Sequence, residues 1–158
     1  METKNFKFKV HSLGFTLLEF LIAIGILVIL ASIVTYAISS FKKEALLKDA
    51  KAKILNELNL ARSKTLASDE NSLWGVHFEP TKIVRFKGPS YSLTSPSNTE
   101  ILFLPEVRIA SILLGGPVDL TFVRLTGRAS VSGTVVVELV SDTSRIATIT
   151  IYSSGIAE

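Results

Sequence analysis

The sequence has 158 residues, which is enough for one globular domain besides an N-terminal segment. It contains no cysteine, which excludes a disulfide framework and a cysteine-ligated metal site, and its formal net charge of +3 is too small to imply a nucleic-acid partner by itself. Hydrophobic residues make up 47% of the chain and the mean hydropathy is +0.43, which is high for a small soluble domain and directs attention to a membrane segment.

The N-terminal part of the sequence predicts a membrane-spanning helix that follows a short lysine-bearing segment. Residues 15–38 form a run of 24 residues with one charge, Glu19, and no proline. A helix that crosses the bilayer core needs about 20 apolar residues. The small-residue step Leu13-Gly14 precedes this run, whereas a secretory signal peptide is cleaved after a shorter apolar core. Cleavage at Gly14 would therefore leave the hydrophobic helix on the mature protein.

Glu19 is the unusual residue of this run. A carboxylate at the centre of a membrane helix costs about 2.5–3.5 kcal/mol on insertion scales, and such residues are functional candidates by default. The alternative is that Glu19 lies near the helix end and reaches the headgroups. Lysines flank the run on both sides, so charge alone leaves the orientation open.

The letters GFTLLE at residues 14–19, between a lysine-bearing segment and an apolar helix, resemble the cleavage and methylation motif of type IV pilin-like prepilins. The resemblance implies that residues 1–14 are a leader and that a prepilin peptidase cuts between Gly14 and Phe15 on the cytoplasmic face. It also implies N-methylation of Phe15 and a role for Glu19 in bringing a subunit into the growing filament. The leader would lie inside and the remainder outside.

The chemistry of these residues agrees with that implication. In a helix, Phe15 and Glu19 are four residues apart and lie on one face. In apolar surroundings, the terminal ammonium of a neighbouring subunit is the natural partner for the carboxylate. Two features depart from the family's pattern: Phe20 stands where the family usually has Leu or Met, and no proline precedes Pro80.

Residues 39–68 predict a continuation of the same helix. They contain no Pro or Gly and are rich in strong helix formers. Apolar residues recur at spacings of three or four and form one stripe: Leu47, Ala50, Ile54, Leu58 and Ala61. We expect one helix over residues 15–68, about 80 Å long, whose second half packs this stripe on a sheet. The lysines after residue 38 are expected on a solvated face, with anionic headgroups as the alternative contact.

From residue 69 onward, β-branched and aromatic residues occur in short runs separated by turn residues. The predicted strands are 73–78, 82–87, 100–104, 118–124, 134–140 and 146–152. In the last of these, one face is predicted to carry Ala147, Ile149 and Ile151, and the other face carries residues 146, 148, 150 and 152. This alternation suits antiparallel strands with one buried face. The sequence therefore predicts an α+β fold, with the long helix packed on an antiparallel β-sheet head at residues 69–158. The resemblance adds that this fold is type IV pilin-like.

The C-terminal part is similar to the pseudopilin H and fimbrial T-like family, which are minor subunits of type II secretion pseudopili and type IV pili. The matching features are Phe122…Gly127, residues 135–139, residues 145–152, a terminal Ser-Gly, and Leu60-Ala61-Arg62-Ser63 in the helix. Some fimbrial T-like proteins are linked to DNA uptake through a basic C-terminal tail, but the last residues here, SSGIAE, carry no basic side chain.

The inventory of reactive side chains argues against an enzyme. His11 would be lost with the leader, which leaves His77 and no cysteine for the usual metal sets or Cys-His pairs. No GxSxG, P-loop or GxGxxG pattern is present. We expect no catalytic residue, no cofactor and no metal. His77 is interpreted as a structural or surface residue, and Trp74 as a core or interface aromatic.

The sequence thus predicts a structural subunit, a minor pilin or pseudopilin. Its expected partners are prepilin peptidase, other pilin or pseudopilin subunits, an inner-membrane assembly platform and membrane lipid. Its expected location is the cytoplasmic (inner) membrane, as a single-pass protein with the head outside, and then a pilus or pseudopilus filament.

Two alternatives remain. The first alternative is a DNA-binding minor pilin of a competence system, for which Arg124, Arg128 and Arg145 are the candidate basic patch. The second alternative is a signal-anchored extracytoplasmic domain with no filament role. Ordinary strand-end and turn charges are the preferred interpretation of the three arginines.

Overall fold

The computed structural model describes residues 14–158, except for the side chains of Tyr36 and Ala37. The predicted leader therefore lies outside the described residues, apart from Gly14. The described chain is α+β, with one long N-terminal helix packed onto antiparallel β-sheets, as the sequence predicts. The chain divides into two compact units, Met1–Ser40 and Phe41–Glu158, which are treated separately below.

The helix, α1, runs without a break over Leu17–Leu66 and is 50 residues long. It begins two residues later and ends two residues earlier than expected. The five residues of the predicted stripe, 47, 50, 54, 58 and 61, are all buried, which confirms the stripe. Between residues 14 and 40, by contrast, no side chain that the structure describes is buried. Within the described residues, α1 is the one helix long and apolar enough to cross a membrane.

A short 3₁₀ helix, Asp69–Asn71, follows α1, and the strands come after it. The strands of the described chain are β1 Trp74–Phe78, β2 Lys82–Lys87, β3 Thr99–Leu102, β4 Val107–Leu114, β5 Asp119–Thr121, β6 Gly133–Leu139 and β7 Asp142–Ile151. They form two antiparallel sheets, the first in the order β3-β2-β1-β5 and the second in the order β4-β6-β7.

One hydrophobic core joins α1 to both sheets. The helix stripe packs in the same cluster as Trp74 and Val76 of the first sheet and Val137 and Ile149 of the second. A smaller apolar layer lies on the other face of the first sheet, where Val84 and Phe86 are fully buried. The connection between β2 and β3 contributes Tyr91 to this layer, with its ring 5.9 Å from that of Phe86 in an edge-on arrangement. Both faces of the first sheet are therefore covered.

The sequence analysis missed β4 entirely. The register between β4 and β6 shifts between Ile109 and Ser111, which marks a β-bulge at Ala110. Before the bulge, Val107 and Ile109 face the core, and after it the opposite parity does. The bulge therefore interrupts the period-two pattern by which strands are recognised, and the segment loses its alternation in the sequence.

The predicted strands 73–78, 100–104 and 134–140 differ from β1, β3 and β6 by one or two residues, and two other predicted strands have a boundary that is wrong by more than that. β5 covers three residues instead of the predicted 118–124, because the chain leaves the sheet at Phe122 to form the turn that contains Gly127. β7 begins at Asp142 instead of residue 146, because Asp142 pairs directly with Leu139 across a tight hairpin. The first residues of β7 are polar, so a strand prediction based on hydrophobic residues did not include them. The alternation within 146–152 is confirmed, with Ile149 and Ile151 buried.

Candidate functional site

The segment that contains the predicted processing site forms the N-terminal cap of α1. The Glu19 amide donates to the Thr16 hydroxyl over 3.2 Å, and the Phe20 amide donates to the Thr16 carbonyl over 3.1 Å. Thr16 is therefore the N-cap and Glu19 the third helical residue, in the Ser/Thr-x-x-Glu spacing of a capping box. The peptide bond between Gly14 and Phe15 lies just before this cap, outside the helix.

This position differs from the sequence expectation in one respect. Phe15 and Glu19 were expected to be four residues apart on one helix face, but the helix begins at Leu17 and Phe15 precedes it. The Thr16 hydroxyl accounts for the difference. It accepts a hydrogen bond from the third helical amide, as an N-cap residue does, and the helix therefore begins at the next residue. Phe15 and Glu19 remain near each other in sequence without sharing a helical face.

The bond after Gly14 is accessible. Phe15 is 84% exposed, and a Cβ on Gly14 would have no atom of the described residues within 4 Å. The residues on the helix side are mostly apolar and exposed, including Leu18 and Phe20. An exposed peptide bond outside the helix is a form of backbone that a protease can bind.

Glu19 is also distinct from the other polar side chains of the apolar run. The hydroxyls of Ser32 and Thr35 donate to the carbonyls of Ile29 and Ala31, over 2.7 and 2.9 Å, so the helix itself satisfies them. Glu19 carries the run's one formal charge. A carboxylate among exposed apolar side chains has a strong physical reason to take a cationic partner once water is removed.

His77 belongs to a polar cluster that the sequence did not reveal. Its Nδ1 lies 2.5 Å from Asp119 Oδ1, and its ring stacks on Tyr91 with centroids 4.0 Å apart. The Tyr91 amide donates to the other oxygen of Asp119 over 3.3 Å, and His77 Nε2 is 3.7 Å from Glu79 Oε1. Asp119 and Tyr91 are distant from His77 in sequence, and the pairing of β1 with β5 and the β2–β3 connection bring them to it.

The contacts of the His77 cluster hold β1, β5 and the β2–β3 connection together. The two carboxylates face opposite nitrogens of the ring, so they do not converge on one point where a metal ion could bind. Within the described chain, no group of three or more His, Asp or Glu side chains is arranged to hold a metal. Asp119 instead ties the β2–β3 connection to β1, which agrees with the structural interpretation of His77.

Trp74 was interpreted as a core or interface aromatic, and the structure places it in the core. It is 4% exposed, and its indole N–H donates to the Asp69 carbonyl over 3.3 Å. The Lys64 ammonium lies 4.3 Å from the centre of the indole ring and 2.5 Å from the Asp69 carboxylate. The hydrogen bond from Lys64 holds the pKa of Asp69 below its usual value. These contacts fix the end of α1 against β1.

Four of the lysines that follow the apolar run, at residues 43, 48, 51 and 53, have partners within the chain. Lys48 and Lys53 pair with acidic residues one helical turn away, at 2.8 and 2.9 Å, and the Lys51 ammonium donates to the Thr148 carbonyl over 3.0 Å. Lys43 lies 3.7 Å from Asp142. A hydrogen bond from the Ser144 hydroxyl, with Lys43 as a further contribution, lowers the pKa of Asp142. These partners favour the helix-face interpretation of the lysines over dedicated headgroup contacts.

The motif residues near the end of α1 meet at one junction. Arg62 Nε donates to the Gly127 carbonyl over 3.0 Å. Gly127 and Gly155 both have positive φ, of 64° and 83°, and a Cβ on Gly155 would lie 1.9 Å from the Gly127 carbonyl oxygen. Both turns therefore require glycine at these positions, because a side chain would be strained or would clash where the two turns pack against Arg62. The sequence had marked all three residues without indicating that they are in contact.

The candidate DNA-binding patch does not exist as one surface. Arg124 donates to the Ser68 hydroxyl and the Asn71 carboxamide oxygen, over 3.2 and 2.9 Å, at the end of α1. Arg145 pairs with Asp142, which also pairs with Lys43 near the start of the helix in this unit. The helix rise separates these two places by about 35 Å. Arg124 and Arg128 are neighbours, but Arg145 is at the other end of the head.

The comparisons with known proteins give no identification. No family model matches the chain, and neither a curated protein nor a solved structure matches it. Any function must therefore be argued from the residues and the geometry described above.

Proposed function

We propose that this chain is a prepilin: a structural subunit, either a minor pilin or a pseudopilin, of a type IV pilus or a type II secretion pseudopilus. In this proposal prepilin peptidase removes residues 1–14, Phe15 is N-methylated, and the apolar part of α1 then holds the subunit first in the inner membrane and later in the filament. The subunit's partners are the peptidase, other subunits, the assembly platform and lipid.

The observation that carries the proposal is the arrangement of residues 14–19. An accessible Gly14–Phe15 bond lies immediately before a helix cap formed by Thr16 and Glu19, and an exposed apolar helix follows without interruption. Removing the segment before Phe15 would leave the cap and the helix intact. Such a cut therefore creates a new amino terminus four residues before an acidic residue, without loss of the helix that inserts in lipid.

The second half of α1 supports a subunit role. The same continuous helix that exposes apolar side chains over residues 17–35 buries its stripe in the head. One unbroken helix thus contains both the lipid-compatible segment and the stripe of the folded domain. A chain that only needed an anchor would be served equally well by a flexible linker, whereas transfer of a head from membrane to filament favours a continuous helix.

The test is peptidase-dependent processing of the full chain. We expect mass spectrometry to find a mature N-terminus at N-methyl-Phe15 when the chain is expressed with prepilin peptidase, and at Met1 or Glu2 when the peptidase is absent. Gly14→Val should block processing because the added side chain reaches the scissile bond. Gly25→Val is the matched control, since a Cβ at Gly25 also has no atom within 4 Å, and it should be processed normally.

A second variant separates the filament subunit from the signal-anchored domain. Glu19→Gln keeps the side-chain size and the backbone cap, so it should be processed normally and yet fail to enter sheared filaments. A chain that starts at Met1 or Glu2 in the presence of active peptidase would overturn the proposal. Equal recovery of the wild type and Glu19→Gln in filaments would remove the assembly role of the carboxylate.

A further inference from the structure

One end of the head carries an exposed apolar side chain on a strained turn. We call residues 123–128 the distal turn, because it lies where α1 ends. Leu125 within it is 86% exposed and has φ of +66°, a conformation that is costly for a bulky residue. Its neighbour Val123 is 48% exposed. The Leu125 side chain gains little from burial in the subunit, so folding of the head alone does not account for the strained leucine.

Strain is concentrated at this end of the molecule. Within the described chain, the non-glycine residues with positive φ are Ser68, Glu70, Asn71 and Leu125. Arg124 connects the two groups, because its guanidinium donates to Ser68 and Asn71. Backbone strain that surrounding contacts maintain tends to occur at functional surfaces. The strained loop and the strained turn are thus held together as one unit.

The distal turn is cationic as well as apolar. Arg124 and Arg128 are exposed, and Arg62 lies beneath them with its Nε on the Gly127 carbonyl. Among the residues that the structure describes, none of these three arginines forms an ion pair. The side chains of Arg62 and Arg124 contact carbonyl, hydroxyl and carboxamide oxygens. A partner that supplies a carboxylate would complete the surface.

The opposite end of the head has complementary properties. We call Leu104, Glu106 and Val140 the proximal surface. Leu104 and Val140 are 47% and 51% exposed, and the Val140 amide donates to the Glu106 carbonyl over 2.9 Å. Glu106 is exposed, and within the described chain its carboxylate forms no ion pair.

The two surfaces lie at opposite ends of the head. Val140 lies in the turn between β6 and β7, two residues before Asp142, which contacts Lys43 near the start of the part of α1 in this unit. The distal turn contacts Ser68, just beyond the end of α1. The rise of the helix puts about 35 Å between these levels. A surface at one end and its complement at the other cannot meet within one subunit, but they can meet between two.

We propose that the distal turn of one subunit binds the proximal surface of a second copy of this chain. Leu125 packs against Leu104 and Val140, while Arg124 and Arg128 face Glu106. The two surfaces differ, so the contact is heterologous and extends into a linear assembly instead of closing a dimer. The inference rests on the proposed filament role and adds the axial contact between heads.

Cysteine crosslinking tests the contact directly, because the chain has no cysteine of its own. The full chain carrying Leu125→Cys and Val140→Cys is expressed with prepilin peptidase and an assembly system and treated with a short bis-maleimide. We expect a ladder of dimers, trimers and larger species, and no ladder from either single variant. The matched control is Leu93→Cys with Val140→Cys, because Leu93 is similarly exposed, at 73%, but lies outside both surfaces.

A charge exchange tests the polar part of the contact. Arg128→Glu, on the crosslinking background, should lower ladder formation about tenfold by placing like charges together, and Glu106→Arg should restore it. A dimer from Leu125→Cys alone would replace the heterologous contact with an isologous one. Salt-sensitive binding of a duplex oligonucleotide by the full chain, lost in Arg128→Glu and without any ladder, would assign the distal turn to nucleic acid.

Failure of this inference is distinguishable from failure of the filament role. Processing at Phe15 and recovery of the doubly substituted chain in sheared filaments, without a ladder, would overturn the axial contact alone. An unprocessed chain in the presence of active peptidase would overturn the filament role and the contact together.

Discussion

A buried ion pair joins α1 to the first sheet and illustrates what single residues contribute to this fold. Arg85 Nη1 donates to the Glu57 carboxylate, and Arg85 Nη2 donates to the Thr99 hydroxyl over 3.2 Å. The two charged side chains are 12% and 11% exposed. Glu57 lies on the edge of the apolar stripe, where the sequence indicates only a helix surface residue. Its partner comes from a strand 28 positions away, so no local pattern predicts the pair.

Breaking this ion pair should destabilise the head more than replacing it. Arg85→Met leaves the Glu57 carboxylate buried and unpaired, which we expect to cost about 3–5 kcal/mol of unfolding free energy. The double variant Glu57→Leu with Arg85→Met should recover much of that loss, because no charge is left buried. Urea unfolding of the full chain in detergent, followed by the fluorescence of Trp74, the one tryptophan, measures both.

The control for that experiment is an ion pair nearer the surface. Lys82 and Glu100 are 2.7 Å apart, and the Glu100 side chain is 46% exposed. Lys82→Met should therefore cost less than about 1 kcal/mol. If the double variant at 57 and 85 is as unstable as Arg85→Met alone, loss of packing and not an unpaired charge explains the effect.

At the scale of elements, α1 could be predicted closely and the sheets only in part. A helix repeats every 3.6 residues within one segment, so the stripe from Leu47 to Ala61 is visible in the sequence itself. Strands are recognised by a two-residue period, which the bulge at Ala110 reverses within β4. The order of strands in each sheet depends on pairings across the chain, and no local signal encodes it.

The candidate sites also differ in whether their residues are adjacent in sequence or are brought together by the fold. Residues 14–19 are adjacent in sequence, so their pattern could be recognised, although the helix cap at Thr16 was not anticipated. The His77–Asp119 contact and the junction of Arg62, Gly127 and Gly155 each combine residues from separate elements. Sequence reasoning marked some of these residues individually, but only the fold shows which of them touch.

The helix stripe makes a direct prediction about packing. Ile54 is fully buried at the centre of the stripe, in the core shared with both sheets. We expect Ile54→Ala to lower the free energy of unfolding by about 2–5 kcal/mol, through lost transfer energy and the cavity left behind. Leu60→Ala is the matched control, because Leu60 lies on the same helix segment but is 37% exposed, and it should cost less than about 1.5 kcal/mol. Equal costs would show that the stripe is not the side of α1 that supports the head. Urea unfolding of the full chain in detergent provides the measurement.

At the scale of the whole molecule, stability and membrane affinity belong to different parts of the chain. The buried hydrophobic residues of the described chain extend from Leu47 to Ile151 and belong to the unit Phe41–Glu158. Between residues 14 and 40, no described side chain is buried, and the apolar ones are exposed. The described part of the first unit thus has apolar surface without a core, which suits lipid or other subunits, and the second unit has a core of its own.

The unit Phe41–Glu158 should therefore fold without Met1–Ser40. Removing those 40 residues takes away no buried side chain that the structure describes, while the stripe and both sheets remain. We expect a soluble fragment with one cooperative unfolding transition and a stability in the usual range of about 5–15 kcal/mol for a small domain. Circular dichroism and Trp74 fluorescence should report the same midpoint. A shorter fragment that begins at Ile54 is the control, and it should fail to fold because it lacks Leu47 and Ala50 of the stripe. An unfolded Phe41–Glu158 fragment would show that the first 40 residues supply stability to the head, and it would contradict a filament subunit whose head is complete before assembly.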